Sequence, residues 1–195
     1  MSAQTNATYV EMIKERLTAY FDFETIPELL KDKAQVFARF TQTDEKYFMT
    51  RRMNLYTVNN HQYVAVGEFD HVTDQTLQSV YTAMTALIDS FGSFENTMST
   101  DYTFTLVSRQ PVDEASIQAA LKTTKYHKSF SFGWRGWADL GLIVVDLAKQ
   151  RVYASRYAQQ QLETVLWSFD GKPLITRKRS LLSRLPFIRC GGCCG

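Results

Sequence analysis

Residues 137–147 read Trp137-Ala138-Asp139-Leu140-Gly141-Leu142-Ile143-Val144-Val145-Asp146-Leu147, and the character of this run decides the fold class. A strand with one wet face alternates apolar and polar side chains. This run stays apolar at consecutive positions through its middle, interrupted only by Gly141, so both faces call for cover. It reads as a central strand, flanked by other strands and covered by helices. The stretch Leu140 to Val145 is also far short of the ~20 apolar residues that span a bilayer.

Working outward, 151–155 reads as a further strand and about 157–168 as a helix. Upstream, a strand precedes the Gly133-Trp134-Arg135-Gly136-Trp137 segment, a short helix opens at Asp113 after Pro111, and Tyr102 to Ser108 forms another strand. The clearest helix is 74–91. There Leu77, Val80, Tyr81, Met84, Leu87, Ile88 and Phe91 trace one stripe, Thr73 or Asp74 caps the start, and Gly92 ends it. Between 34 and 69, alternating segments suggest four strands at about 34–41, 45–50, 53–59 and 62–69, with turn chemistry at Thr41 to Asp44 and Asn59 to His61. That predicts an antiparallel meander. An amphipathic helix over 8–23 places Tyr9, Met12, Ile13, Leu17, Tyr20 and Phe21 on one side. The sum is an α+β domain with an antiparallel or mixed sheet of about six or seven strands covered by helices.

Composition supports one folded body with an appendage. The chain has 195 residues, 45% hydrophobic and 22% charged, with nine Gly and four Pro, which excludes disordered and collagenous classes. All 20 acidic residues lie at or before Asp170, whereas six of the 22 bases lie beyond it. Residues 1–170 therefore form an acidic globular domain, and 171–195 a basic tail that holds all three cysteines. No basic start followed by an apolar stretch marks a secretory signal, and a cytoplasmic location is expected.

Motifs that carry chemistry are sparse. His61, His71 and His127 have no HExxH or HxH spacing and read as turn or solvated residues. Ser99 lacks a Gly-x-Ser-x-Gly setting, has no evident His–Asp pair to orient it, and reads as a polar lead into a strand. Phosphate-binding glycine loops are absent from the sequence. A nuclease-like core needs an acid followed by acid-x-Lys to hold Mg²⁺, but the best triplet, Glu68-Phe69-Asp70, lacks the lysine. Asp139 and Asp146, seven apart on one strand, fall on opposite faces. No cofactor is implied.

Residues 122–137 interleave Lys122, Lys125, Lys128 and Arg135 with Tyr126, Phe130, Phe132, Trp134 and Trp137. Such a mixture suits nucleic acid, by stacking on bases and neutralising phosphates. The plainer expectation is one buried strand face, since Phe130, Phe132 and Trp134 alternate. Lys128, Arg135, Trp137 and Asp139 are the binding candidates of the body.

The stretch from Lys125 to Asp139, with Val144-Val145-Asp146-Leu147, resembles the signature block of an uncharacterised prokaryotic domain family of unknown function. Phe37-Ala38-Arg39-Phe40, Glu45-Lys46-Tyr47-Phe48 and Met98-Ser99-Thr100 extend the resemblance over roughly 9–168. It implies one domain and no known activity, cofactor or catalytic set.

The tail combines Arg177, Lys178, Arg179, Arg184 and Arg189 with Leu181, Leu182, Leu185 and Ile188, a mixture suited to an anionic membrane surface or a nucleic acid. Cys190, Cys193 and Cys194 are weak metal candidates without a fourth ligand, and Gly192 occupies the position a prenylation box would need for cysteine. The leading expectation is a non-enzymatic cytoplasmic binding domain that recognises a protein partner, peripheral at the membrane surface through its tail. The alternatives are a nucleic-acid-binding or degenerate nuclease-like domain, and an enzyme whose residues converge only in three dimensions.

Overall fold

In a computed structural model, which describes residues 9–47, 54–92, 97–133 and 135–160, the run quoted above is strand β6 (Trp137–Asp146). Its even positions Ala138, Leu140, Leu142 and Val144 join one buried apolar cluster, and Ile143 and Val145 join another on the opposite side. The first cluster is roofed by helices α2 (Asp74–Phe91) and α3 (Glu114–Thr123), which contribute Leu77, Val80, Met84, Ile88, Ile117 and Leu121. The second is roofed by α1 (Tyr9–Leu17) through Val10, Ile13 and Leu17. The result is three layers, with helices on both faces of one sheet.

Among the described residues the sheet has seven strands: β1 (Asp22–Phe23), β2 (Val36–Tyr47), β3 (Asn54–Phe69), β4 (Thr97–Ser108), β5 (Tyr126–Ser129), β6 and β7 (Arg151–Ala154). Their order is β1-β2-β3-β4-β6, with β5 and β7 sharing the last edge of β6. The sheet is mixed. Strand β4 runs parallel to both β3 and β6, because α2 and α3 supply the crossovers, and the other pairings are antiparallel.

The meander expected over 34–69 is instead one long hairpin. Thr41 pairs with His61, Gln42 with Asn60 and Asp44 with Val58, so both presumed turns lie opposite each other inside a continuous ladder. Their polarity reflects cross-strand partners; the Thr41 Oγ1 to His61 Nδ1 distance is 3.0 Å. The antiparallel ladder runs as far as the Tyr47–Asn54 pair. Helix α1 is shorter than its periodicity suggested, since the chain turns after Leu17 and enters β1 opposite Ala38 and Arg39, although Phe21 stays buried. The cap of α2 is as expected: the Thr73 hydroxyl accepts from the Thr76 N–H. Asp113 precedes α3 without a side-chain cap. Beyond a short 3₁₀ turn at Ala158–Gln160, the expected helix over 157–168 lies outside the described residues, as does the whole tail.

Two buried details hold the shared edge of β6 together. Between the segments paired to β5 and β7, Leu142 donates its N–H to Ser155 Oγ (2.9 Å) and accepts from the Ser155 N–H (2.9 Å). Gly141 lies beneath Ala158, where an added Cβ would stand 2.8 Å from the Ala158 Cα. At the end of β6 the fully buried Asp146 carboxylate accepts from the N–H groups of Val112 (2.9 Å) and Lys149 (2.8 Å), while the Lys149 ammonium donates to Val112 O (2.6 Å). The β6–β7 turn is thereby tied to the entrance of α3.

In denaturant unfolding, Asp146→Ala is expected to lose roughly 2–4 kcal/mol, because two backbone donors lose their acceptor. Asp146→Asn, which keeps one acceptor oxygen, is expected to lose less. Gly141→Ala is expected to cost about 1–3 kcal/mol through overpacking against Ala158.

Candidate functional site

The interleaved segment does not continue as a strand past Ser129. At Ser131 and Phe132 the backbone enters the left-handed region (φ 48° and 56°), and the chain closes on itself where the Phe130 N–H donates to Gly136 O (2.9 Å) and the Arg135 N–H to Phe130 O (3.2 Å). The alternating buried face is thus overturned. Phe130 packs against the larger core, whereas Phe132 is wholly exposed, at 102% of its reference area. Trp134 lies outside the described residues. Gly136 (φ 77°) seats the loop on the start of β4: an added Cβ would lie 2.5 Å from Thr97 O and 2.6 Å from Met98 O. Only glycine fits there. Met98 is itself exposed, as is Arg135.

Strand β5 is held to α2 by side chains. Asp89 accepts from the Lys128 ammonium (2.5 Å) and the Tyr126 hydroxyl (2.7 Å), and the Tyr81 hydroxyl donates to Lys125 O (3.1 Å). These bonds hold the Asp89 carboxyl below the usual range, Lys128 contributing most. The Lys128 ammonium also sits 5.5 Å from the Phe130 ring centroid, at cation–π distance.

Trp137 and Asp139 belong to the other face of the sheet. Lys128 is opposite Ala138 in the register, so it shares the α2 side, while His127 is opposite Asp139. The four sequence candidates therefore do not converge. What does converge was missed. Asp101, Asp139 and His127 form one row across β4, β6 and β5, with His127 Nδ1 donating to Asp139 Oδ1 at 2.7 Å. Burial, reinforced by the charge of Asp139, pushes the Asp101 carboxyl up to about 6. The His–Asp pair was hidden because it requires the β5–β6 register across an irregular turn. The Asp101–Asp139 pair requires knowing that β4 and β6 are parallel. Among the described residues, no group of three or more His, Cys, Asp or Glu side chains is placed to hold a metal ion.

The other candidates have structural partners. Glu68 and Asp70, the nuclease-like carboxylates, both meet the Arg109 guanidinium, at 2.7 and 3.4 Å. Ser99 lies within β4 and donates to Asn60 Oδ1 (2.9 Å). The structure has a cleft of about 590 Å³ lined by Lys122, Lys125, Tyr153 and Arg156, and one of about 330 Å³ lined by Arg16, Tyr20, Phe21, Phe40 and Gln62. A third runs along α2 beside Leu29 and Lys33. None of the three is lined by Glu68, Lys128, Arg135 or Asp139. Arg177, Lys178, Arg179, Arg184, Arg189 and the three cysteines lie outside the described residues. No helix among the described residues is long and apolar enough to cross a membrane.

A carboxyl group whose pKa is raised on folding stabilises the protein most below its unfolded value and loses that contribution as pH rises through about 6. Asp101→Asn is therefore expected to be more stable than the parent at pH 7.5, by about 1–2 kcal/mol. The gap should close as pH falls below about 4, as followed by denaturant unfolding across the pH range.

No curated protein and no solved structure matches the chain. The model of one family, described as a domain of unknown function (DUF8052), matches residues 5–165. That span takes in every described strand and helix, and the chain belongs to this family.

Proposed function

We propose that this protein is a non-enzymatic binding domain that attaches peripherally to anionic membrane surfaces, using the turn at 130–136 as an apolar anchor and the tail at 171–195 as an electrostatic one. One observation carries the reading: Phe132 is fully exposed at a position where the backbone is left-handed at two successive non-glycine residues. A left-handed L-residue costs roughly 1–2 kcal/mol, so the turn spends conformational energy on presenting an aromatic ring to solvent. An aromatic ring at the headgroup level, beside an exposed Arg135, suits the membrane interface. The tail's six bases add attraction of about 1 kcal/mol each near an anionic surface.

The enzyme reading loses support because its residues are dispersed: Glu68 is paired to Arg109, Lys128 to Asp89, Arg135 faces solvent and Asp139 is paired to His127. Nucleic-acid binding through 122–137 is weakened by the same Lys128–Asp89 pair and by the net negative charge of the body.

The test is flotation of the full chain with vesicles of phosphatidylcholine and phosphatidylglycerol in equal amounts. Phe132→Ala is expected to weaken partitioning about tenfold or more, from loss of a buried phenyl group. A chain ending at Asp170 is expected to lose most binding at low salt. Equal flotation of all three proteins, or equal recovery on vesicles of phosphatidylcholine alone, overturns the proposal.

A further inference from the structure

The cleft of about 590 Å³ lies between α3 and the outer edge of β7, away from the turn at 130–136. Its first property is an open strand edge. Strand β7 pairs only with β6 among the described residues, and the Ser155 N–H bonds to Leu142 O. In an antiparallel ladder, alternate residues direct both backbone groups to the same side. Ser155 and Tyr153 therefore turn theirs toward β6, and Val152 and Ala154 turn theirs toward the cleft, where no described residue meets them.

The second property is uncompensated positive charge. Lys122 and Lys125 line one wall and Arg156 the other, all three exposed and none in an ion pair among the described residues. Neighbouring bases differ: Lys128 is held by Asp89, and Arg151 by Glu114 at 2.7 Å. These three cations are positioned for a ligand that brings its own negative charge. The third property is shape. Four residues of edge, Val152 to Ser155, span about 13 Å at strand spacing, a length that fits a short extended chain.

We propose that this cleft docks an extended, acidic peptide segment of another protein, which adds to β7 as a further strand while its carboxylates meet Lys122, Lys125 and Arg156. Main-chain hydrogen bonds to Val152 and Ala154 give register, and the three cations give sequence preference. The site is separate from the membrane-facing turn, and its test contains no lipid, so either proposal can fail alone.

The probe is a fluorescein-labelled, end-capped heptapeptide alternating glutamate and valine, titrated with the full chain and read by anisotropy. Binding is expected, weakening as salt is raised. The peptide with glutamine for glutamate, and one N-methylated at alternate backbone positions, are each expected to bind at least tenfold more weakly. Lys122→Glu combined with Arg156→Glu is expected to lose tenfold or more while the far-ultraviolet spectrum and melting temperature are retained. Ala154→Pro removes a cleft-facing N–H without removing a bond to β6, and is expected to weaken the parent peptide but not the N-methylated one. Should that variant fold poorly, the N-methylated peptide makes the same comparison on the unaltered protein. Equal affinity for parent and N-methylated peptides overturns the strand-addition proposal in favour of simple charge attraction. Absence of acidic-peptide binding at low salt overturns it outright, as does tighter binding of a single-stranded oligonucleotide that the double reversal abolishes.

Discussion

Strand β6 is bonded to three other strands and buried on both faces, and the rest of the molecule is arranged to satisfy those demands. Its even side meets Leu77, Met84 and Ile117 from the paired helices, and its odd side meets the smaller cluster beneath α1. The free edge is filled in two pieces, since neither β5 nor β7 is long enough to cover ten residues. Ser155 closes the gap between them with one hydroxyl and one amide, and Gly141 lets Ala158 approach the same place. Leaving such backbone groups unpaired in a buried strand would cost more than the bonds contribute when made. The irregular edge of β6 is therefore as constrained as its regular one.

That divided edge explains why both proposed surfaces lie on the same side of the sheet. The turn at 130–136 must bring the chain from the end of β5 back into β6 while avoiding the start of β4. It does so with left-handed residues at Ser131, Phe132 and Gly136. The outward position of Phe132 follows from the path of the backbone. On the other half of the edge, β7 stops after four residues and leaves its outer groups beside α3. A single full-length edge strand would have removed the turn, while still leaving its own outer backbone groups open.

The parts legible in the sequence were those where one periodicity dominates. The apolar run of β6 and the stripe of α2 each carry a long, unmixed pattern, and both identify their elements closely. The hairpin of β2 and β3 was misread because Thr41, Asn59 and Asn60 carry the residue types of turns while lying in a ladder, where pairing across strands satisfies them instead. Phe132 was misread because alternation over 130–134 is equally the pattern of a strand, and left-handed backbone at Ser131 and Phe132 has no signature without glycine. The Asp101–Asp139–His127 row was invisible for a different reason. Its members meet through strand pairing between segments 12 and 38 residues apart, and register is a property of the folded sheet.

Charge places a final constraint on how the two surfaces relate. The chain past residue 160 continues from the short turn that contributes Gln159 to the cleft, so a segment of this same protein is near its mouth in sequence. The six bases beyond Asp170 are poor occupants, since they would bring positive charge toward Lys122, Lys125 and Arg156, whereas Glu163 and Asp170 would bring negative charge. At physiological ionic strength such repulsion acts over about 8 Å, a range comparable to the width of a cleft between a strand and a helix. On the two proposals the cleft takes acidic chains, and the same sign of charge suits the tail to an anionic surface. On those proposals cations serve two partners in two places, and the acidic remainder of the body disfavours binding of either partner elsewhere.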